Sequence, residues 1–180
     1  MPHDDNIKNQ LKDTIRDIPD NQKKGTSSKD ITTILQDGNK FKQAVDLLVK
    51  RYRIMDIDVV VCVESRGFLF GAALAYNLNA AVVPVRKEGK LPCATHSVIY
   101  DLEYSTAKLE IHKDSIKKGD RVLIIDDLLA TGSTALATID LVEKLQGEIC
   151  EICFLVELTY MKGHMRLQRK NYPIFSLISY

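Results

Sequence analysis

Apolar and polar positions divide the chain into segments of two periods. Ile7, Leu11, Ile15 and Ile18 recur at steps of four, four and three, which predicts an amphipathic helix that stops at Pro19. Asp20 to Ser28 is polar, contains Gly25 and reads as a loop. Phe41, Ala44, Val45, Leu48 and Tyr52 return to helical spacing. Ile57 to Val63 is then β-branched and almost continuously apolar, as in a strand buried on both faces of a parallel sheet. A helix over Phe68 to Leu78 follows, then strands over Ala81 to Val85, Arg121 to Ile125 and Ile149 to Val156, with a helix over Ser133 to Leu145 between the last two. Ser97 to Lys113 alternates through Leu102, Tyr104, Leu109 and Ile111 and predicts an antiparallel excursion, with a flap over about 93–113.

Repetition of β-α-β units predicts an α/β fold: a mainly parallel central sheet flanked by helices, with ligands at the carboxyl ends of the strands. The polar stretches Arg86 to His96 and Asp126 to Thr134 fall where such a site belongs. There is no internal repeat. At 180 residues the chain is read as one domain.

Charge and composition narrow the function. The net charge of +1 carries no block of like charges, so neither a nucleic-acid arm nor an acidic tail is expected. No apolar run approaches the roughly 18–20 residues of a membrane helix, and Met1 to Lys8 lacks the hydrophobic core of a secretion signal, so a cytoplasmic protein is expected. Cys62, Cys93, Cys150 and Cys153 are expected as four free thiols. Cys150 and Cys153 share a C-x-x-C spacing, but i and i+3 point to opposite faces of a strand, which favours core packing over metal or redox chemistry. His112 and His164 read as surface residues.

The most informative stretch is Arg121-Val-Leu-Ile-Ile-Asp126-Asp127-Leu-Leu-Ala130-Thr131-Gly132-Ser133-Thr134-Ala135. It runs from an apolar strand through two acids and a small-residue loop into a helix. Backbone N–H groups of Ala130 to Thr134, their hydroxyls and the helix N-terminus suit a phosphate. Carboxylates cannot bind that phosphate, but they suit hydroxyls beside it, so the pattern asks for a sugar phosphate. Neither a G-x-x-x-x-G-K-[ST] nor a G-x-G-x-x-G occurs.

Strand, two acids and Ala-Thr-Gly together resemble the 5-phosphoribosyl-1-pyrophosphate signature of the type I phosphoribosyltransferase family. Glu64-Ser65-Arg66-Gly67-Phe68, Arg86-Lys87-Glu88-Gly89-Lys90-Leu91-Pro92, Leu102-Glu103-Tyr104 and Glu110-Ile111-His112-Lys113 resemble its adenine-using branch. The likeness runs from about Ile18 to the end and includes Val156-Glu157-Leu158 and Lys162-Gly163.

This resemblance implies a type I phosphoribosyltransferase fold with an N-terminal hood over about 1–35, and a homodimer. It also implies Mg2+-dependent transfer of phosphoribosyl to N9 of adenine, giving AMP and pyrophosphate. Ala130, Thr131, Gly132, Ser133 and Thr134 would hold the 5-phosphate, and Asp126 and Asp127 the ribose hydroxyls. Ser65, Arg66, Arg86, Lys87 and Lys90 would hold the pyrophosphate. Glu103 would act at purine N7, with Tyr104 closing over the site. The ion would rest on ribosyl-donor oxygens and water, with no direct protein ligand. Backbone groups around Ser27, Ser28 and Lys29 would read the adenine edge, and Leu158 would cover one face. The family usually puts an aromatic ring at the position of Ser28. Stacking on a ring is worth about 1–3 kcal/mol, so its absence implies base binding weaker by roughly ten- to a hundredfold, or preference for another 6-substituted purine. A non-catalytic regulator that binds the ribosyl donor is the alternative from outside enzyme chemistry.

Overall fold

The computed structural model of the chain describes residues 2–19, 27–101 and 106–180. They form two compact units, Met1–Lys50 and Arg51–Tyr180.

The first unit begins with helix α1 (Pro2–Thr14), followed by strands β1 (Arg16–Pro19) and β2 (Ser27–Asp30), helix α2 (Thr32–Gln36) and most of helix α3 (Gly38–Tyr52). Leu11 and Ile15 are buried as their spacing predicts. Ile18, however, lies outside the helix. The chain leaves α1 at Thr14 and pairs Arg16 with Asp30, Ile18 with Ser28 and Pro19 with Ser27 in an antiparallel ladder. That partner lies far along the chain, so a local count of apolar steps cannot register it. The loop predicted for Asp20 to Ser28 is corrected at its end, because Ser27 and Ser28 belong to β2. The Asp30 carboxylate starts α2 by accepting from Thr32 N at 2.9 Å and Thr32 Oγ1 at 2.7 Å.

In the second unit seven strands form one sheet: β3 (Val59–Val63), β4 (Ala81–Lys87), β5 (Thr95–Asp101), β6 (Thr106–His112), β7 (Arg121–Leu129), β8 (Glu148–Glu157) and β9 (Ile174–Ser179). Their order is β5-β6-β4-β3-β7-β8-β9. Strands β4, β3, β7, β8 and β9 are parallel, while β5 and β6 are the expected antiparallel excursion. Helix α4 (Gly67–Leu78) joins β3 to β4, and helix α5 (Ser133–Lys144) joins β7 to β8. All five residues of β3 are buried, as a strand covered on both faces requires. Val61, Val85, Ile111, Ile124, Leu141, Ile152 and Phe154 are among the side chains of the core.

Three features depart from the sequence reading. Strand β9 was not anticipated; it is a parallel edge strand that pairs Ile174 with Ile152. Strand β7 runs on past its apolar stretch because the ladder to β8 continues to Leu129 and Glu157, so Asp126 and Asp127 are strand residues, not loop residues. Arg86 and Lys87 likewise end a strand, opposite Glu110 and Leu109 of β6. All four cysteines are free thiols, with Cys62 and Cys153 buried. Cys150 is only half-buried, beside the bulge between Val122 and Leu123.

Glu151 of β8 anchors the end of α3. Its carboxylate accepts from Arg51 Nε at 2.7 Å, Arg51 Nη2 at 2.6 Å and Tyr52 Oη at 2.7 Å, and the guanidinium lies 3.9 Å from the Phe175 ring centre. Among the described residues no helix is long and apolar enough to cross a membrane.

Candidate active site

The site is built where parallel strands end and helices begin. After β7 the chain turns through Ala130 to Gly132, and Gly132 takes φ +79, a conformation that side-chain-bearing residues rarely adopt. Gly132 is the N-cap of α5 and supplies no side chain to its first turn, so the leading N–H groups of the helix are left for an external anion. A cavity of about 70 Å³ lies here, lined by Asp126, Ala130, Thr131, Gly132, Ser133, Thr134 and Phe154. A larger open concavity of about 810 Å³, lined in part by Ser97, Lys108 and Glu143, holds none of the predicted site residues.

A short helix, α6 (Gly163–Leu167), closes the far side of this loop. The Gly132 α-carbon and Gly163 are in near contact, since a Cβ on Gly132 would lie 3.2 Å from Gly163 O. A Cβ on Gly163 would meet Ala130 O at 2.2 Å. Only glycine at position 163 permits this approach. Three residues on, Arg166 Nη1 donates to Ser133 Oγ at 2.7 Å.

The two acids have different surroundings. Asp127 is buried, and its Oδ2 lies 2.5 Å from Arg66 Nε. The angle of that ion pair is not a hydrogen bond's, so this buried oxygen has no hydrogen-bond donor. Asp126 keeps part of its surface open, and its Oδ1 accepts from Asp127 N at 2.8 Å. Burial, and then the charge of Asp127, push the Asp126 carboxyl well above the usual range. Arg66 is held here because Gly67 opens α4 directly against Asp126, where a Cβ would sit 3.1 Å from Asp126 Oδ1. The Glu64–Ser65 peptide that leads into this turn is cis.

The remaining predicted cations gather on the end of β4. Arg86 Nε donates to Glu64 Oε2 at 3.2 Å, Lys87 N donates to the same oxygen at 3.0 Å, and Arg86 Nη1 donates to Lys90 O at 3.2 Å. Burial alone would raise the Glu64 carboxyl, but the Lys87 N–H and the Arg86 guanidinium outweigh it and hold it below the ordinary value. Buried Glu110 on β6 accepts from Gly89 N at 3.0 Å and so ties the turn between Lys87 and Lys90 to the hairpin.

Glu64, Glu110, Gly163 and Arg166 were not singled out as site residues from the sequence. Glu64, Glu110 and Gly163 lie in segments that carry the resemblance but were given no role there, and Arg166 lies in none of them; their parts in the site are marked by long-range contacts. Leu158 is buried and follows Glu157, whose carboxylate accepts from Ser176 Oγ at 2.7 Å and lies 3.4 Å from His164 Nδ1. His164 keeps over a third of its side chain exposed, as its surface reading expects, while facing Glu157 of β8. Ser28 and Lys29 lie on β2 of the first unit, with Lys29 Nζ 3.3 Å from Asp17. The expectations for Glu103 and Tyr104 lie outside the described residues.

Comparison with known proteins agrees with this arrangement. Residues 31–178 match the model of the phosphoribosyl transferase domain. An adenine phosphoribosyltransferase of Trichlorobacter lovleyi is 56% identical over 170 residues, 94% of this chain and 98% of that protein. The crystal structure of adenine phosphoribosyltransferase from Thermoanaerobacter pseudethanolicus superposes with TM-score 0.91 at 48% identity, covering 96% of this chain and 99% of the other. That of the Saccharomyces cerevisiae enzyme, complexed with adenine and an imino-altritol bisphosphate, superposes with TM-score 0.89 at 36% identity over 96% and 99% of the two chains. An uncapped helix N-terminus behind two strand-end acids, on a sheet that matches these structures over nearly its whole length, places the chain in the phosphoribosyl transferase domain family, among the adenine phosphoribosyltransferases.

Proposed function

We propose that the chain serves purine salvage by transferring the phosphoribosyl group of 5-phosphoribosyl-1-pyrophosphate to adenine, giving AMP and pyrophosphate. The C1′–O bond to pyrophosphate breaks, the C1′–N9 bond forms, and adenine gives up its imidazole proton. The observation that carries this reading is the uncapped α5 N-terminus adjoining Asp126 and Asp127, with Arg66 paired to the second acid.

Ala130 to Thr134 hold the 5-phosphate through N–H groups and hydroxyls, backed by the α5 dipole. Asp126 and Asp127 accept from the ribose hydroxyls, and their charge stabilises the positive ring that develops as pyrophosphate departs. Ser65, Arg66, Arg86, Lys87 and Lys90 receive the leaving group, forked guanidinium donors being suited to its oxygens. Because Arg66 lies on Asp127 and Arg86 on Glu64, binding of the ribosyl donor exchanges internal ion pairs for contacts to phosphate. Glu103 holds the imidazole proton at N7, Tyr104 covers the site, and Leu158 meets one face of the base.

The residues fit a magnesium ion carried on substrate oxygens. Asp127 Oδ2 has no hydrogen-bond donor and, once Arg66 turns to the pyrophosphate, would accept from the waters of such an ion, with no direct protein ligand needed. When bound, the ion neutralises charge on the departing pyrophosphate. The reading also includes a cytoplasmic homodimer, for which exposed Leu69 and Tyr76, seven residues apart on α4, are suitable apolar surface.

The test is product formation from the ribosyl donor and Mg2+ with adenine, hypoxanthine, guanine and xanthine in parallel. AMP formation at low adenine KM supports the reading. Failure with every base, in protein that binds the ribosyl donor, overturns it.

A further inference from the structure

We propose that Arg166 is a positioning residue of the phosphate site: by donating to Ser133 Oγ it turns the Ser133 hydroxyl proton toward the 5-phosphate and adds a positive charge behind it. This rests on the reading that Ala130 to Thr134 hold the 5-phosphate.

Hydroxyl arithmetic carries the first half. A serine oxygen has one proton to donate and two lone pairs to accept with, whereas a guanidinium only donates. Arg166 Nη1 at 2.7 Å therefore takes a lone pair of Ser133 Oγ. Thr131 Oγ1 lies 3.4 Å from the same oxygen, and either hydroxyl of that pair can be the donor. That separation is beyond the about 2.5–3.0 Å of a good O–H···O bond, so the Ser133 proton is only weakly held and is free to turn to a better acceptor. Ser133 is buried as the first residue of α5, so this proton belongs to the same uncapped turn as the free N–H groups.

Charge carries the second half. The N-terminus of α5 is a positive pole, and a cation beside it is unfavourable unless an anion joins them. Arg166 is nonetheless brought there by the contact of Gly163 with Ala130 and Gly132. Among the described residues no carboxylate pairs with its guanidinium. The Ser133 hydroxyl and the uncapped amides line one small cavity, Arg166 is hydrogen-bonded to that hydroxyl from outside the lining, and a phosphate in the cavity answers all three. A hydrogen bond from Arg166 also polarises the Ser133 O–H, making it a stronger donor.

The experiment measures the KM of the ribosyl donor, kcat, adenine KM, and the dissociation constants of ribose 5-phosphate and inorganic pyrophosphate. It compares the unmodified chain with Arg166→Ala, Arg166→Lys, Ser133→Ala and the double variant Ser133→Ala/Arg166→Ala. Arg166→Ala is expected to raise the KM of the ribosyl donor and the ribose 5-phosphate constant by about tenfold, the scale of one charge-assisted hydrogen bond. Adenine KM and pyrophosphate binding stay within twofold, and Arg166→Lys recovers part of the loss. In the Ser133→Ala background the same change costs distinctly less, because the hydroxyl it orients is gone. Unchanged ribose 5-phosphate binding in Arg166→Ala overturns the proposal. So does equal weakening of all ligands, or a penalty that is fully additive with Ser133→Ala. Ribose 5-phosphate binding is read without turnover, so failure to form AMP would refute the proposed function and leave this test standing.

Discussion

Substituting alanine for Gly163 sets two physical effects against each other. Helix propensity favours alanine over glycine by up to about 1 kcal/mol, so a count of local preferences predicts a gain in stability. The tertiary structure predicts a loss. The added Cβ would lie 2.2 Å from the Ala130 carbonyl oxygen, whereas side-chain carbons essentially never come within 3.0 Å. The obstacle is backbone and cannot rotate away, so α6 or the phosphate loop must retreat by about 0.8 Å. Overpacking of this kind costs about 1–3 kcal/mol, and after the propensity gain a net loss of up to about 2 kcal/mol remains. For a chain of this size that lowers Tm by up to about 8 °C. A displacement approaching 1 Å at a substrate-positioning loop costs about a hundredfold in rate, so kcat/KM for the ribosyl donor is expected to fall by that order. Gly38→Ala is the control, since a Cβ there meets nothing within 4 Å. Thermal melts and steady-state kinetics on both variants decide the matter. A Gly163→Ala protein with raised Tm and unchanged kcat/KM would refute the packing argument.

Four further outcomes are expected. Asp126 has a folded-state pKa raised above its ordinary 3.8, so it opposes folding at pH values above that raised value, and the penalty disappears as pH falls toward 3.8; Asp126→Asn should raise Tm at pH 7 and lose that gain near pH 4, and an equal gain at both ends would count against burial as the cause. Glu151→Ala leaves Arg51 and Tyr52 without their shared carboxylate, and should cost about 3 kcal/mol, at the low end for a broken buried pair because Arg51 retains access to water, as measured by urea unfolding. Ser28→Phe should lower adenine KM by roughly tenfold if a ring on β2 supplies the stacking that serine lacks, and an unchanged KM would show that the ring is not what limits base binding. Glu103→Ala should lower kcat by about 10² to 10⁴ with binding of the ribosyl donor largely retained, and a full turnover number would remove Glu103 from the mechanism.

What was legible in the sequence was whatever the chain writes locally. Val59 to Val63 is apolar throughout because both faces of β3 are covered, and the recurrence of such runs with helical segments between them marks a parallel sheet. Asp126 to Thr134 keeps acids, small residues and a helix start in immediate succession because one sugar phosphate must be held by neighbouring groups. Tertiary structure decided what depends on partners distant along the chain. Ile18 fits a helical stripe, but its pairing with Ser28 makes it a strand residue. Asp126 and Asp127 look alike in sequence, yet Arg66 pairs with Asp127, while burial beside that charge raises the pKa of Asp126. Arg166 lies 33 positions from Ser133, and only the close approach of Gly163 to Ala130 brings them together. Periodicity records which face of an element is covered, but which element covers it, and which charges meet as a result, is settled only when the elements pack.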